Sequence, residues 1–186
     1  MNDVLNTIKR RRMTRKFKSE QLKDEQIIAI IDAGQHAPTV HKQQAWNFTI
    51  IQDPELLDEL SREAKKIGQK SSIDIIRKLN SSENYHLFYN APTVIVVSAD
   101  KEAMMPEAEC VAATQNILLA AESMGIGACW IDGINMLLNS EEGEKYKKKL
   151  NLADNQISQR AISLGYRALK PLQPYPRKEG KYQFIR

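Results

Sequence analysis

The sequence has few of the residues that build covalent or metal-linked scaffolds. Its 186 residues include only two cysteines, Cys110 and Cys129, and three histidines. Two cysteines are too few for a disulfide framework. His36 and His41 are five residues apart across Pro38, so they do not share a helical face as paired metal ligands would. The composition therefore argues against a disulfide-built scaffold, and no metal is expected.

Long uncharged apolar runs are also missing. The longest apolar stretches are broken by Glu, Gln or Asn before they reach the ~20 residues that a membrane span needs. The opening sequence MNDVLNTIKRRR lacks the uncharged apolar core of a secretory signal. Together with the small number of cysteines, these features lead us to expect a cytoplasmic protein with no membrane partner.

Two common catalytic signatures are absent or misplaced. The chain has no G-x-S-x-G elbow, and neither cysteine has a histidine close to it in sequence. Gly125-Ile126-Gly127 is expected to follow a helix and precede a strand, which is the reverse of the order in a dinucleotide-binding turn. Nucleophilic catalysis and a dinucleotide fold therefore find little support.

The positive charge is concentrated in one short segment. The chain has a formal net charge of +4, and seven basic residues fall between Lys9 and Lys18 with no acidic residue among them. Removing these seven charges leaves −3 for the rest of the protein. A mildly acidic body with one cationic segment favours a local anion site over a basic surface.

Apolar periodicity predicts one α+β domain over residues 1–186, with helices packed on one sheet. The helix at 106–124 is expected to be buried on nearly all sides, residues 71–84 to form a mobile helix or lid, and the proline-rich tail from Lys170 to lie on a surface as an extended arm. The other predicted helices are 2–12, 23 or 24 to 34–38, 55–70 and 140–150, and the predicted strands are 46–52, 93–99, 128–131 and one within 156–166.

The connection between the second helix and the first strand carries several polar side chains beside Trp46. On its own it is as well explained by a turn that satisfies backbone groups as by a binding loop. The arginine-rich segment, this polar loop and the Gly-x-Gly turn are together typical of a site for a phosphorylated aromatic cofactor, and the cofactor would then carry the chemistry.

At this point the sequence resembles the FMN-dependent nitroreductase family. Members have a helix that ends in Arg-x-Ser-x-Arg/Lys before an aromatic residue, and the chain matches this pattern at Arg11, Arg15 and Phe17. Five further stretches follow in the family's order: Ala37-Pro38-Thr39 through Lys42 to Gln44-Ala45-Trp46, Ala91-Pro92 before a strand, Gln115 to Ala121, Gly125 to Trp130, and Leu164-Gly165-Tyr166 with Arg177 downstream.

This resemblance implies an α+β sandwich with one mainly antiparallel sheet surrounded by helices, an interlocked homodimer, FMN as cofactor and NAD(P)H as electron donor. Because FMN would carry the chemistry, no catalytic side chain is assigned. By position, Arg11 and Arg177 would hold the phosphate and Arg15 would face the pyrimidine edge of the flavin. The remaining cofactor-binding candidates are Arg12 and Met13 beside Arg11, Thr39, Lys42 and Gln44 at the ring or ribityl chain, and the backbone at Ile126 and Gly127.

Three positions depart from the family pattern. Met13 replaces a serine whose hydroxyl supports the phosphate, Lys42 replaces the usual asparagine, and Ala45 replaces a proline. The first departure is expected to weaken FMN binding, and the second adds a cation at the flavin or in solvent.

The expected function is the transfer of electrons from NAD(P)H to a small organic acceptor, such as a nitroaromatic compound or a quinone, by ping-pong hydride transfer. One alternative is a family relative that uses flavin for reductive dehalogenation or flavin storage. A basic arm that binds nucleic acid is a more distant alternative, since Phe17 is the sole aromatic residue in the cationic segment and base stacking has little to work with. The segment could also be no more than a solvated helix end.

Overall fold

A computed structural model describes residues 2–186, and its centre is a four-stranded antiparallel sheet in the order β1-β2-β4-β3. The central strand β2 is buried along nearly its whole length, which explains its continuous run of β-branched residues. The predicted α+β fold with one antiparallel sheet is confirmed. The strands are β1 (Trp46–Ile51), β2 (Thr93–Asp100), β3 (Gly127–Ile131) and β4 (Gln156–Gly165).

Two of the helices begin at a residue whose side chain caps the helix. The Asn2 side chain accepts a hydrogen bond from the Leu5 amide at 2.9 Å, and Asp53 caps the helix that opens with Pro54, as the sequence predicts. The helices are α1 (Asp3–Arg10), α2 (Asp24–Gln35), α3 (Pro54–Gly68), α4 (Asp74–Ser81), α5 (Pro106–Ser123), α6 (Ile134–Leu138) and α7 (Glu144–Lys149), with 3-10 turns at Val40–Lys42 and Glu141–Gly143.

The two faces of the sheet form two separate cores. On one face, Ile95 and Val97 of β2 pack with residues of α2 and α5 such as Ile117. On the other face, Val94 and Val96 pack with residues of α3, α6 and α7. Successive residues of β2 thus point to opposite cores, as the period of two in a strand requires.

Helix α5 is buried on one face only, so the expectation that it is covered on nearly all sides does not hold within a single chain. Its inner residues include Ala113, Ile117 and Leu118, whereas Gln115 is exposed and Leu119 is half-buried. Although α5 is the longest helix among residues 2–186, neither it nor any other described helix has the length and apolar character of a membrane span.

Two short elements differ from the sequence prediction. Helix α6 was not predicted, because five residues are too few to display a helical period. The predicted helix 140–150 is divided into a 3-10 turn and α7 at Gly143, where an added Cβ would collide with the carbonyl oxygens of Leu137 and Leu138. Close backbone packing therefore determines where α7 begins.

The tail has no regular structure. Every residue from Lys170 to Arg186 is exposed and lies in neither helix nor strand. Its exposed apolar side chains are Leu172, Tyr175, Tyr182, Phe184 and Ile185. The predicted docking of this arm on another surface therefore stays a prediction.

The turn that leads into β2 is organised by His86. Its Nδ1 accepts hydrogen bonds from the amides of Phe88 at 3.1 Å and Asn90 at 3.2 Å, so the ring proton must lie on Nε2, which faces Asp58 Oδ1 at 3.2 Å. Tyr89 and Asn90 have positive φ angles of 56° and 53°. These hydrogen bonds stabilise a backbone conformation that non-glycine residues rarely adopt.

Burial lowers the pKa of His86, and the opposing effect of the Asp58 carboxylate is smaller. In the unfolded chain the imidazole takes up a proton near its ordinary pKa of about 6.5, whereas the folded protein resists protonation. The unfolded state therefore binds more protons, and the stability contributed by neutral His86 is lost as the pH falls from about 7 towards the lowered pKa.

We expect the free energy of unfolding to decrease between about pH 7 and pH 5.5, and His86→Asn to reduce this dependence, because an Asn oxygen accepts amide hydrogen bonds without titrating. Urea unfolding of both proteins at several pH values measures the difference, and His36→Asn serves as a control at an exposed histidine. Equal pH dependence in wild type and His86→Asn would contradict the role assigned to His86.

Candidate active site

The segment Arg11–Phe17, called here the arginine segment, lies against the outer edge of β3. Met13 forms a parallel bridge with Ala128, and the Thr14 amide donates a hydrogen bond to the Ala128 carbonyl at 2.8 Å. Phe17 then forms an antiparallel bridge with Arg167, just beyond β4. The structure thus places the cationic segment beside the Gly-x-Gly turn that precedes β3.

Gly127 allows this close approach. An added Cβ would lie 2.8 Å from Thr14 Cγ2 and 2.9 Å from Arg167 Cγ, closer than real Cβ atoms come to other atoms. Ile126 buries its side chain in the core and donates its amide proton to the Ala121 carbonyl at 2.8 Å. The predicted site residues Ile126 and Gly127 therefore lie next to the arginine segment.

A buried carboxylate fixes both ends of this arrangement. Glu122, near the end of α5, accepts hydrogen bonds from Arg10 Nε at 3.1 Å and Arg167 Nη2 at 2.5 Å. Arg167 also donates to the Gly125 carbonyl at 3.0 Å. Charge-assisted hydrogen bonds of this kind hold the end of α1 and Arg167, the bridge partner of Phe17, on the same carboxylate.

Three predicted phosphate-side residues have different environments. Arg11 has a buried Nη1 without a hydrogen-bond partner among the described residues. Arg12 Nη1 instead donates to the carbonyls of Lys9 at 2.8 Å and Arg11 at 2.5 Å, at the end of α1. Met13 Sδ accepts a hydrogen bond from the Trp130 amide at 3.4 Å, so its side chain is engaged with the protein. Arg12 Nε is, like Arg11 Nη1, buried without a hydrogen-bond partner among the described residues, so both arginines keep donor capacity for an anion.

Arg15 points to the turn before β2. Its guanidinium carbon lies 5.8 Å from the centroid of the Tyr89 ring, at the edge of a cavity of about 410 Å³ that Tyr85 also lines. A second cavity of about 240 Å³ lies between the arginine segment and residues Leu169 to Leu172, where the tail begins. Arg177 lies farther along the tail and is exposed.

The other predicted residues form a separate group in the loop between α2 and β1. Thr39, Lys42 and Gln44 lie there, held by the buried carboxylate of Glu109, which accepts a hydrogen bond from the Ala45 amide at 3.0 Å. Glu109 and Glu122 are thirteen residues apart on α5. With a rise of 1.5 Å per residue, the two carboxylates are about 20 Å apart along the helix axis.

The sheet register also places the two groups apart. Trp46, next to the loop, pairs with Ala99 at the end of β2, whereas Gly127 pairs with Gly165 at the opposite end of the sheet. The strands β1 and β3 are moreover the two outer strands. Within one chain, the structure therefore brings together Arg11 to Arg15 with Ile126 and Gly127, and leaves Thr39, Lys42 and Gln44 at the diagonally opposite corner.

Sequence reasoning missed the two buried acids, although a signal for them exists. Glu109 lies four residues before Ala113 and eight before Ile117, in a row of buried side chains. Glu122 similarly follows Leu118 by four residues. An acidic residue in a buried row of a helix indicates a carboxylate with dedicated donors.

The structure offers no activated thiol. Burial raises the pKa of Cys110 to about 12 and that of Cys129 to about 11, so both thiols are protonated at neutral pH. Among residues 2–186, no three His, Cys, Asp or Glu side chains form a group that could hold a metal ion. Among the described residues, the geometry therefore supports the binding of an anionic ligand by the arginine segment.

Comparison with known proteins supports the same conclusion. The model of the nitroreductase family matches residues 8–166. A provisionally named NADH dehydrogenase/NAD(P)H nitroreductase of Archaeoglobus fulgidus is 32% identical over 171 residues, which cover 89% of this chain and 86% of the relative. An iodotyrosine deiodinase of Thermotoga neapolitana is 25% identical over 136 residues, which cover 69% of this chain and 73% of the relative.

Among solved structures, the crystal structure of a nitroreductase with bound FMN from Bacteroides fragilis superposes with a TM-score of 0.92 at 31% identity and covers all of both chains. The resemblance noted in the sequence motifs is therefore confirmed. Since the family model matches most of the chain and the similarity extends to the whole fold, the chain belongs to the nitroreductase family.

Proposed function

We propose that this protein is an FMN-dependent oxidoreductase that takes electrons from NAD(P)H and passes them to a small organic acceptor, with residues 1–186 as one FMN-binding domain. The observation that carries the proposal is Arg11, whose buried Nη1 has no partner among the described residues. A buried guanidinium nitrogen without a partner is costly, and a phosphate oxygen would satisfy it. The FMN in the B. fragilis structure and the NAD(P)H in the name of the A. fulgidus relative support the same cofactor pair.

The residues present fit such a cofactor. Gly127 has no side chain at the place where a Cβ would collide with Thr14 and Arg167, so the arginine segment lies close to the backbone at this turn. Arg11 would hold the phosphate and Arg15 would lie towards the ring, with the cavity beside Tyr89 next to it. When bound, FMN supplies the hydride and electron chemistry, while the protein binds and orients it.

We further propose that two chains form a homodimer. Helix α1 exposes Val4 by 64%, Leu5 by 48% and Ile8 by 47%, and has no buried residue. An open apolar cavity of about 430 Å³ lies between α1, α2 and α5. Exposed apolar surface of this extent is typical of an interface between proteins, and the tail exposes further apolar side chains.

A second chain also completes the site. The loop with Thr39, Lys42 and Gln44 is separated from the arginine segment of its own chain by the length of α5 and the width of the sheet. Two chains related by a twofold axis can bring the loop of one chain to the arginine segment of the other. Each FMN would then lie between two chains, and Arg177, in the tail of one of them, would also bind the phosphate.

Reductive dehalogenation is a second candidate function, favoured by the similarity to the deiodinase of T. neapolitana. The two functions differ in the acceptor and share the flavin. They are therefore separated by comparing a nitroaromatic compound, a quinone and a halogenated tyrosine as oxidants of the reduced protein.

The purified protein is expected to show the visible absorbance of bound FMN, as a yellow flavoprotein does. Anaerobic addition of NADH or NADPH should bleach this absorbance, and a nitroaromatic compound or quinone should restore it. A colourless protein that also fails to take up added FMN would contradict the proposed cofactor. Restoration by the halogenated tyrosine alone would favour the second candidate.

Two arginines are expected to act at different ends of the cofactor. Removal of a charge-assisted contact to phosphate costs about 1.5–3 kcal/mol, so Arg11→Ala should weaken FMN binding about 10- to 150-fold and affect riboflavin, which lacks the phosphate, far less. Arg15 at the pyrimidine edge would stabilise the negative charge of the reduced flavin. Arg15→Ala should therefore lower the flavin midpoint potential more than the affinity for oxidised FMN.

The measurements are dissociation constants for FMN and riboflavin and the midpoint potential of each loaded variant. Arg77→Ala is the control, because Arg77 is an arginine of α4 that pairs with Asp74 outside the proposed site. If Arg15→Ala lost oxidised FMN as severely as Arg11→Ala while its potential stayed unchanged, the assignment of the two ends would be wrong.

A further inference from the structure

The loop between α2 and β1 is closed by a single buried carboxylate. Glu109 is 2% exposed, and its Oε1 accepts a hydrogen bond from the Val40 amide at 2.7 Å. Its Oε2 accepts one from the Ala45 amide at 3.0 Å. One side chain of α5 thus binds the backbone at both ends of the segment Val40–Ala45.

The segment between these two amides has an unusual backbone. His41, Lys42 and Gln44 have φ angles of 49°, 59° and 48°, in the left-handed region that non-glycine residues rarely adopt. Such residues persist where the surrounding structure holds them, and they cluster at ligand-binding sites. The strain in this loop therefore requires external contacts that compensate for it.

The contacts converge on Glu109. The Gln44 amide donates to Thr39 Oγ1 at 2.8 Å, and Thr39 directly precedes Val40, whose amide binds Glu109. Gln43 makes one more contact, as its Oε1 accepts from the Met104 amide at 3.0 Å. The amides of Val40 and Ala45 thus point at a group that can accept but not donate while it is ionised.

The charge state of Glu109 agrees with this geometry. Burial by itself raises the pKa of the carboxyl group, but the hydrogen bonds from the Ala45 and Val40 amides and the Thr39 hydroxyl outweigh burial and hold the pKa below its usual value. The group is therefore ionised at neutral pH. A glutamine would turn an NH₂ group towards a donor, so the site specifically requires a carboxylate.

We propose that Glu109 is a positioning residue, which holds the strained loop in the shape that presents Thr39, Lys42 and Gln44 to the flavin ring or ribityl chain. This inference rests on the proposed FMN site and assigns a role to a residue that does not itself touch the cofactor. Glu109 acts through the loop and lies at the opposite end of α5 from Glu122, which binds Arg10, the residue just before the arginine segment.

The test compares Glu109→Gln with Glu107→Gln. Glu107 lies on the same helix, but its side chain is exposed and forms an ion pair with Arg160 at 2.6 Å. The control variant therefore removes an acidic residue of α5 without changing the contacts of the loop. The first readout is the rate at which trypsin cuts the flavin-free protein after Lys42, which is exposed in the loop. The second readout is the dissociation constant for FMN and for riboflavin.

Glu109→Gln is expected to be cut faster after Lys42 and to bind both flavins about 5- to 150-fold more weakly, by the same factor, because the loop is assigned to the part that the two flavins share. Glu107→Gln should behave as wild type in both readouts. A role limited to overall stability would raise cleavage at many sites and would not single out Lys42. If Glu109→Gln does not fold, Glu109→Asp, which keeps the charge but is too short to reach both amides, should give the same pattern.

Wild-type cleavage after Lys42 in both Glu109 variants would overturn the proposal. Faster cleavage with unchanged flavin binding would overturn it as well, and so would a loss of FMN affinity with riboflavin unaffected. Failure of the proposed function is distinguishable, because the wild-type protein itself would then take up neither flavin.

Discussion

Helix α5 sets the distance between the two halves of the proposed site. It carries one buried carboxylate near each end, and each carboxylate holds a different functional segment: Glu109 the loop before β1, and Glu122 the ends of α1 and β4 through Arg10 and Arg167. A helix is stiff over this length, so thirteen residues keep the two segments about 20 Å apart. A buried carboxylate without its donors is costly, which is why both segments are firmly held.

If both segments bind the same FMN, as proposed, this distance means that one chain cannot supply a whole site. The outer face of α5 is partly uncovered, α1 exposes its apolar side chains, and the tail lies open from Lys170 onwards. A second chain would cover these apolar surfaces and would also supply the loop that the arginine segment lacks in its own chain. The dimer and the composite site are thus one proposal with two independent observations behind it.

Much of the fold could be predicted from the sequence because local signals were strong. The β-branched run of β2 indicates a central strand, and Asp53 with Pro54 marks the beginning of α3. Helix α6 is too short to show a period, and the division before α7 depends on how Gly143 packs against the carbonyl oxygen of Leu137, which no local pattern contains.

The candidate site was predictable only in part for a similar reason. The motif order predicts that the arginine segment and the loop bind the cofactor, but the placement of these segments at opposite corners follows from the sheet order and from α5. Roles such as that of Glu109 depend on amides of Val40 and Ala45, whose positions are set by tertiary structure. Backbone donors cannot be read from side-chain identity.

The central claim is that each FMN lies between the arginine segment of one chain and the loop of the other. Its most direct test is a mixed dimer of Arg11→Ala and Glu109→Gln chains, isolated with two different tags and checked by light scattering for twice the chain mass of 21.2 kDa. If the sites are composite, one of the two FMN sites of the mixed dimer contains both intact segments and the other contains both damaged segments. The mixed dimer should therefore bind FMN at about half of its sites with wild-type affinity. If no site recovered wild-type affinity in a mixed dimer of the right mass, each site would be built within one chain and the account would be contradicted.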